Sequence, residues 1–176
     1  YSIQETNGRT LFFDYLVIRP GNNVNFVFDL YTVPGQRRHA RQRRVILNGA
    51  DSIIFVADSA PIAIYENAKS FDELRFYLSG ILDKIPLIIA VNKRDLPDAL
   101  PIRLVLNSLK LTKPTPVFST VATTGKGIKE LFREAFRLTM LASFFPTLYK
   151  KELARIIEMH KYLLPEELTK EPLIKL

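Results

Sequence analysis

The stretch PLIIAVNKRD, Pro86 to Asp95, decides how the rest of the chain is read. Its first half is a nearly continuous apolar run, as expected of a strand buried on both faces of a parallel sheet. Its second half turns abruptly polar, where such a strand would leave the sheet. SIIFVAD (Ser52 to Asp58) has the same character, and PVFST (Pro116 to Thr120) is a shorter run of the same kind. Helical periodicity fills the segments around them, at residues 41–47, 68–82, 103–109 and 128–142. Strands alternating with helices predict an open, mostly parallel α/β sheet with helices on both faces. Upstream, LFFDYLVI (Leu11 to Ile18) and VNFVFDLY (Val24 to Tyr31) flank Arg19-Pro20-Gly21-Asn22-Asn23. This pattern predicts an antiparallel hairpin with a five-residue loop at the sheet edge.

Composition bounds the function classes. With 176 residues, 47% of them hydrophobic, the chain suits one domain with a substantial core. The absence of cysteine excludes disulfides, thiolate metal sites and cysteine nucleophiles, and fits a cytoplasmic protein. No run of apolar residues is long enough for a membrane span, and no signal-peptide pattern is present. The chain begins with Tyr1 rather than methionine, so its original N-terminus is expected upstream. A net charge of +7 suits nucleic acid, acidic lipid or polyphosphate, and is also ordinary for a basic soluble protein.

In open α/β sheets, ligands bind beyond the carboxyl ends of the strands. Three loops follow strands: TVPGQ (Thr32 to Gln36), NKRD (Asn92 to Asp95) and VATTG (Val121 to Gly125), and all are expected on one rim. An ionised Asp accepts hydrogen bonds at two oxygens, which matches a pair of adjacent N–H donors. Guanine presents such a pair at N1–H and its exocyclic amine, and adenine does not. Asn92 suits the purine edge and the loop itself, and the stem of Lys93 suits the face of the ring. The plain alternative for NKRD is a solvated turn before the next helix. Its place after a buried strand, with VATTG after the next, favours base binding.

With these loops in place the chain resembles the Ras-like small GTPases over most of Arg9 to Ala142. NKRD is similar to their guanine-specificity motif, and STVATTG (Ser119 to Gly125) to their last motif. The resemblance implies that the backbone N–H of Ala122 meets the guanine carbonyl, with Val121 and Thr123 beside it. Thr123 stands where many members carry lysine. ENAKSFDELRFYL (Glu66 to Leu78) looks like the third helix of the family, with a packing role. Within the superfamily the likeness points to bacterial gliding-motility and cell-polarity GTPases of the MglA type. It is carried by RTLFFDYL (Arg9 to Leu16), LYTVPGQ (Leu30 to Gln36) and VNKRDLP (Val91 to Pro97). That group replaces the usual aspartate of the D-x-x-G motif with threonine, and Thr32 does so here.

The resemblance implies a Ras-like G domain over residues 1–145, a C-terminal helical extension over 146–176, and a GTP/GDP switch that uses Mg²⁺. Gly35 would give its N–H to the γ-phosphate, and Gln36 would orient the attacking water. Thr10 would close over the nucleotide and contribute to the Mg²⁺ site. Arg9 would act as an arginine finger from the same chain, against the plainer reading of a solvated charge at a strand end. The partner implied is a Roadblock-type GTPase-activating protein.

A GTPase also needs a phosphate cradle, G-x-x-x-x-G-K-[ST]. These residues do not contain it: Lys126 of Gly125-Lys126-Gly127 is followed by no serine or threonine. In the Ras-like fold the first strand sits mid-sheet, and without it neighbouring strands keep unpaired backbone groups, each costing about 1–3 kcal/mol when buried. The first strand, phosphate loop and first helix are therefore expected upstream of Tyr1. Two other readings compete: a nucleotide-independent scaffold that binds partners through the basic run RRHARQRR (Arg37 to Arg44), and an Arf-like or other Ras-like prokaryotic GTPase with no arginine finger of its own. That basic run lacks interleaved aromatics, so no nucleic-acid partner is expected. In the extension, Tyr149, Leu153, Ile156, Ile157, His160, Leu163 and Leu164 form one helical stripe. Docking on the domain is preferred for it over peripheral membrane contact or a separate partner.

Overall fold

In the computed structural model, the structure describes residues 3–4, 10–11, 15–19, 27–32, 46–47, 49–111 and 115–167, with side chains from Tyr15 to Ile156. The chain divides into two compact units, Tyr1–Ala50 and Asp51–Leu176.

The first unit contains two antiparallel pairs. Strand β1 (Ile3–Gln4) pairs with β2 (Thr10–Leu11), placing Gln4 opposite Thr10. Strand β3 (Tyr15–Ile18) pairs with β4 (Phe28–Tyr31), from Tyr15 opposite Tyr31 to Ile18 opposite Phe28. The predicted antiparallel hairpin is thus present, and residues 20–23 of its expected loop lie outside the described residues. Directly opposed aromatic residues stabilise such a pair: the Tyr15 and Tyr31 rings sit 4.9 Å apart, and the Tyr15 hydroxyl donates to Asp29 Oδ1 at 2.8 Å. That hydrogen bond, with some desolvation and the Asp29 charge, pushes the Tyr15 phenol above its ordinary pKa.

The second unit holds the parallel sheet. Strands β5 (Ile53–Asp58), β6 (Leu87–Asn92) and β7 (Val117–Ser119) lie side by side in that order, all parallel. Between and after them come α1 (Ile64–Tyr77), α2 (Ile102–Leu109), α3 (Ile128–Phe144) and α4 (Pro146–Glu167). Five of the six residues of β6 are buried, as its continuous apolar sequence requires of a central strand. Alternation along the strands sorts their side chains between two faces. On one face Ile54, Ile88, Ala90 and Phe118 pack with Leu131, Ala135 and Leu138 of α3. On the other, the Phe55 ring meets Phe71 of α1 edge-on at 5.0 Å. Helices therefore cover both faces, as predicted.

Helix α1 starts before the expected residue 68 and stops short of 82. Pro61 opens a single 3-10 turn (Pro61–Ala63) that leads directly into the helix, because its locked φ is already helical. At the other end Gly80 adopts a φ of +80° in the turn that follows. Helix α4 begins after Phe145, so the boundary expected at residue 145 falls at the junction of two helices. Tyr149 and Ile156, both from the predicted apolar stripe, pack against the α3 cluster. Burial pushes the Tyr149 phenol above its ordinary pKa. Arg137 on α3 binds Glu134 through two hydrogen bonds and reaches Glu152 of α4 at 3.1 Å, which clasps the two helices together. The side chains of the stripe beyond Ile156 lie outside the described residues. No helix among the described residues is long and apolar enough to cross a membrane.

Candidate functional site

Because β6 and β7 are parallel and Val91 lies opposite Ser119, the loops that follow them leave the sheet at the same end. NKRD and VATTG meet there. Asn92 Oδ1 accepts from the Ala122 N–H at 3.0 Å and from Thr120 Oγ1 at 3.2 Å. The Arg94 N–H donates to the Thr120 carbonyl at 3.2 Å, and the Thr120 N–H to the Val91 carbonyl at 2.9 Å. One amide oxygen thus ties the two loops together and leaves the Asn92 Nδ2 donors for a ligand edge.

Asp95 is exposed, and among the described residues its carboxylate accepts no hydrogen bond. An exposed two-oxygen acceptor three residues after Asn92 is of the kind that the donor pair of guanine would meet. Ala122 and Thr123 are exposed in the turn that follows Thr120, while Val121 is buried and pairs with Lys126 in a single bridge. The Ala122 N–H is already engaged by Asn92, so a base carbonyl reaching it must share that donor. Gly127 makes the turn possible. It has a φ of +74°, and a Cβ there would fall 2.1 Å from the Ser119 carbonyl oxygen. Gly125 and Gly127 therefore serve the entry into α3.

Lys93 adopts a left-handed backbone with φ of +62°, and its Nζ lies 2.7 Å from Asp58 Oδ2. Asp58 is the last residue of β5, opposite Asn92 in the register. Partial burial pushes its carboxyl up, but the Lys93 hydrogen bond, the Ala60 N–H and the Lys93 charge outweigh this and hold it below the ordinary range. Next to it, buried Ser59 donates its hydroxyl to the Asn92 carbonyl at 2.6 Å, and its N–H donates to the same oxygen at 3.0 Å. Arg94 Nη1 donates to Ser59 Oγ at 3.3 Å and also to the Leu100 carbonyl. Behind them Asn67 on α1 exchanges both of its amide groups with the Asp58 backbone, at 2.8 and 3.1 Å.

Residues 16–138 match the model of the ADP-ribosylation factor family. The chain belongs to that family of Ras-like GTPase domains. It is also similar to the mutual gliding-motility protein MglA of Myxococcus xanthus (strain DK1622), 37% identical over 144 residues, which cover 79% of this chain and 73% of that protein.

Within this family member the described residues hold the base side of the predicted site: Asn92, Lys93, Asp95, Val121, Ala122 and Thr123 all fall at one end of the parallel sheet. Thr10 is placed only by its backbone, on β2. Thr32 follows β4 and is exposed. Arg9, Gly35, Gln36 and the basic run from Arg37 to Arg44 lie outside the described residues. Sequence reasoning missed Asp58, Ser59 and Asn67, and took Arg94 only as part of the motif. The signal was available, since Asp58-Ser59 also follows an apolar strand and the rule applied to β6 and β7 applies equally to β5.

Proposed function

We propose that the full-length protein is a cytoplasmic GTP/GDP switch that binds guanine nucleotide at the Asn92–Asp95 and Val121–Thr123 loops and hydrolyses GTP. The observation that carries this reading is the union of those loops through Asn92 Oδ1, with Asp95 exposed three residues further on. Asp95 would accept from the guanine N1–H and amine, Asn92 would donate to the purine edge, and the Lys93 stem would lie over the ring.

On the phosphate side, Gly35 would donate its N–H, Gln36 would orient water, and Arg9 would offset developing charge. The Thr10 hydroxyl is a hard oxygen donor of the kind Mg²⁺ accepts. When bound, that ion neutralises phosphate charge. Switching would consist of ordering the segments around Thr10 and Gln36 when the γ-phosphate is present. The likeness to a gliding-motility protein supports a role in motility or cell polarity, with a Roadblock-type activator as partner.

Binding of fluorescent mant-GDP and mant-ADP to the full-length protein tests this. Strong preference for mant-GDP is expected. Asp95→Asn replaces an acceptor by a donor, so it should lose on the order of 100-fold in guanine affinity through two charge-assisted hydrogen bonds. It should gain affinity for xanthosine diphosphate, whose C2 carbonyl accepts where guanine donates. Equal binding of both nucleotides, or of neither, would sink the reading, and the second result would leave the scaffold alternative.

A further inference from the structure

The guanine reading assigns Lys93 to the base but leaves Asp58 without a task. We propose that Asp58 is a positioning residue of the base site, holding the Lys93 ammonium at 2.7 Å so that the lysine stem is set before nucleotide arrives. This rests on the guanine-nucleotide reading above.

Lysine is a poor choice for a fixed wall unless its end is anchored. Its four-carbon stem carries about 2 kcal/mol of rotamer entropy, which is lost when a ring must lie against it. Here the Lys93 side chain is 54% exposed, so solvent alone would leave it free to move. Its backbone is also held in a left-handed conformation that costs a non-glycine residue about 1–2 kcal/mol. Such strain persists only where the surroundings over-determine it. Those surroundings are visible: the Asn92 carbonyl is fixed by Ser59, the Arg94 N–H by Thr120, and the Leu96 N–H donates to the Lys93 carbonyl at 3.2 Å.

Asp58 completes this arrangement at the side-chain end. It is itself rigid, because Asn67 grips its backbone on both sides and the Ala60 N–H donates to Oδ1 at 2.9 Å. Oδ2 remains for Lys93. The second cation of the motif, Arg94, is turned inward to Ser59 and Leu100. The Asp58-Ser59 pair therefore sorts two adjacent cations, one into the loop's own clasp and one toward the ligand face. Paying the ordering cost before binding raises affinity without a new ligand contact.

A double-mutant cycle on the full-length protein separates this role from mere support of the fold, with mant-GDP affinity read by fluorescence. Asp58→Asn should weaken binding about fivefold, the scale of a partly exposed ion pair. Lys93→Met keeps the apolar stem but cannot be anchored, so Asp58→Asn added to it should cause no further loss. Asp58→Glu keeps the charge and should bind like the parent. The proposal is overturned if Asp58→Asn costs as much in the Lys93→Met background as alone, or costs nothing, or if Asp58→Glu binds as weakly as Asp58→Asn. A parent protein that binds no mant-GDP would overturn the guanine reading and this inference together. Binding by the parent with additive effects would overturn this inference alone.

Discussion

The two antiparallel strands β3 and β4 and the three parallel strands β5, β6 and β7 are built on opposite principles. No residue of β3 or β4 is fully buried, and Leu16 is 55% exposed. Its ladder, the tilted contact of the two tyrosine rings and the Tyr15–Asp29 hydrogen bond join the pair. In the parallel sheet Ile88, Ile89 and Val91 are wholly buried, and helices cover both faces. The lesson concerns where precision is kept. The parallel sheet holds the Asn92–Asp95 loop through hydrogen bonds from buried neighbours, whereas every described residue of the hairpin strands is at least partly exposed.

The largest test of this contrast is truncation. Ile88→Ala should cost about 2–5 kcal/mol in urea unfolding, since a fully buried side chain leaves a cavity that the sheet cannot close. Leu16→Ala should cost less than about 1 kcal/mol by the same measurement, because most of that side chain already faces water. Equal losses would break the contrast.

Gly127→Ala comes next in size. The added methyl group faces a backbone carbonyl that cannot move alone, and the positive φ disfavours any side chain. A loss of about 2–4 kcal/mol is expected. It should be accompanied by weaker mant-GDP binding, because Ser119 to Ala122 would shift with it. Normal stability would show that the turn relaxes and that its geometry is less exacting than the 2.1 Å approach implies.

The smallest effects are in pH dependence, and the two regions should differ in sign. Asp58 has a lowered folded-state pKa, so its contribution is present above the unfolded value and is lost as pH falls through the folded one. Asp58→Asn should flatten the acid side of the stability profile. Tyr15 has a raised pKa, so its contribution is present below the unfolded value and disappears as pH rises through the folded one. Tyr15→Phe should remove that contribution at neutral pH and so flatten the alkaline limb of the stability profile, with the loss of one late-titrating tyrosine in the ultraviolet spectrum. A change on the opposite limb in either variant would contradict the assignment.

Much of the parallel sheet was legible because burial on two faces leaves an unmistakable apolar run. PLIIAVN became β6 (Leu87–Asn92) and SIIFVAD became β5 (Ile53–Asp58), although only two of the six residues of β5 are buried. Helix ends were less legible, as α1 shows: Pro61 and Gly80 decide its limits, and neither interrupts the apolar period on which the prediction relied. The proposed base site rests on residue type, since an acceptor-only carboxylate after a strand invites a donor pair. The support beneath it was not. Asn67 and Asp58 are nine positions apart and Asp58 and Lys93 thirty-five, and nothing local in either segment predicts their hydrogen bonds.

By itself, then, the sequence determined where β3 to β7 lie, which loops follow them and which chemistry Asn92 and Asp95 can perform, while β1 went unread. Those properties follow from local periodicity and from the donors and acceptors each side chain carries. Only the tertiary structure decided that Asn92 would bind its own neighbour Ala122, that Gly127 would touch Ser119, and that Asp58 would take charge of Lys93. Each of these depends on the order and register of three parallel strands, which bring distant strand ends within hydrogen-bonding distance.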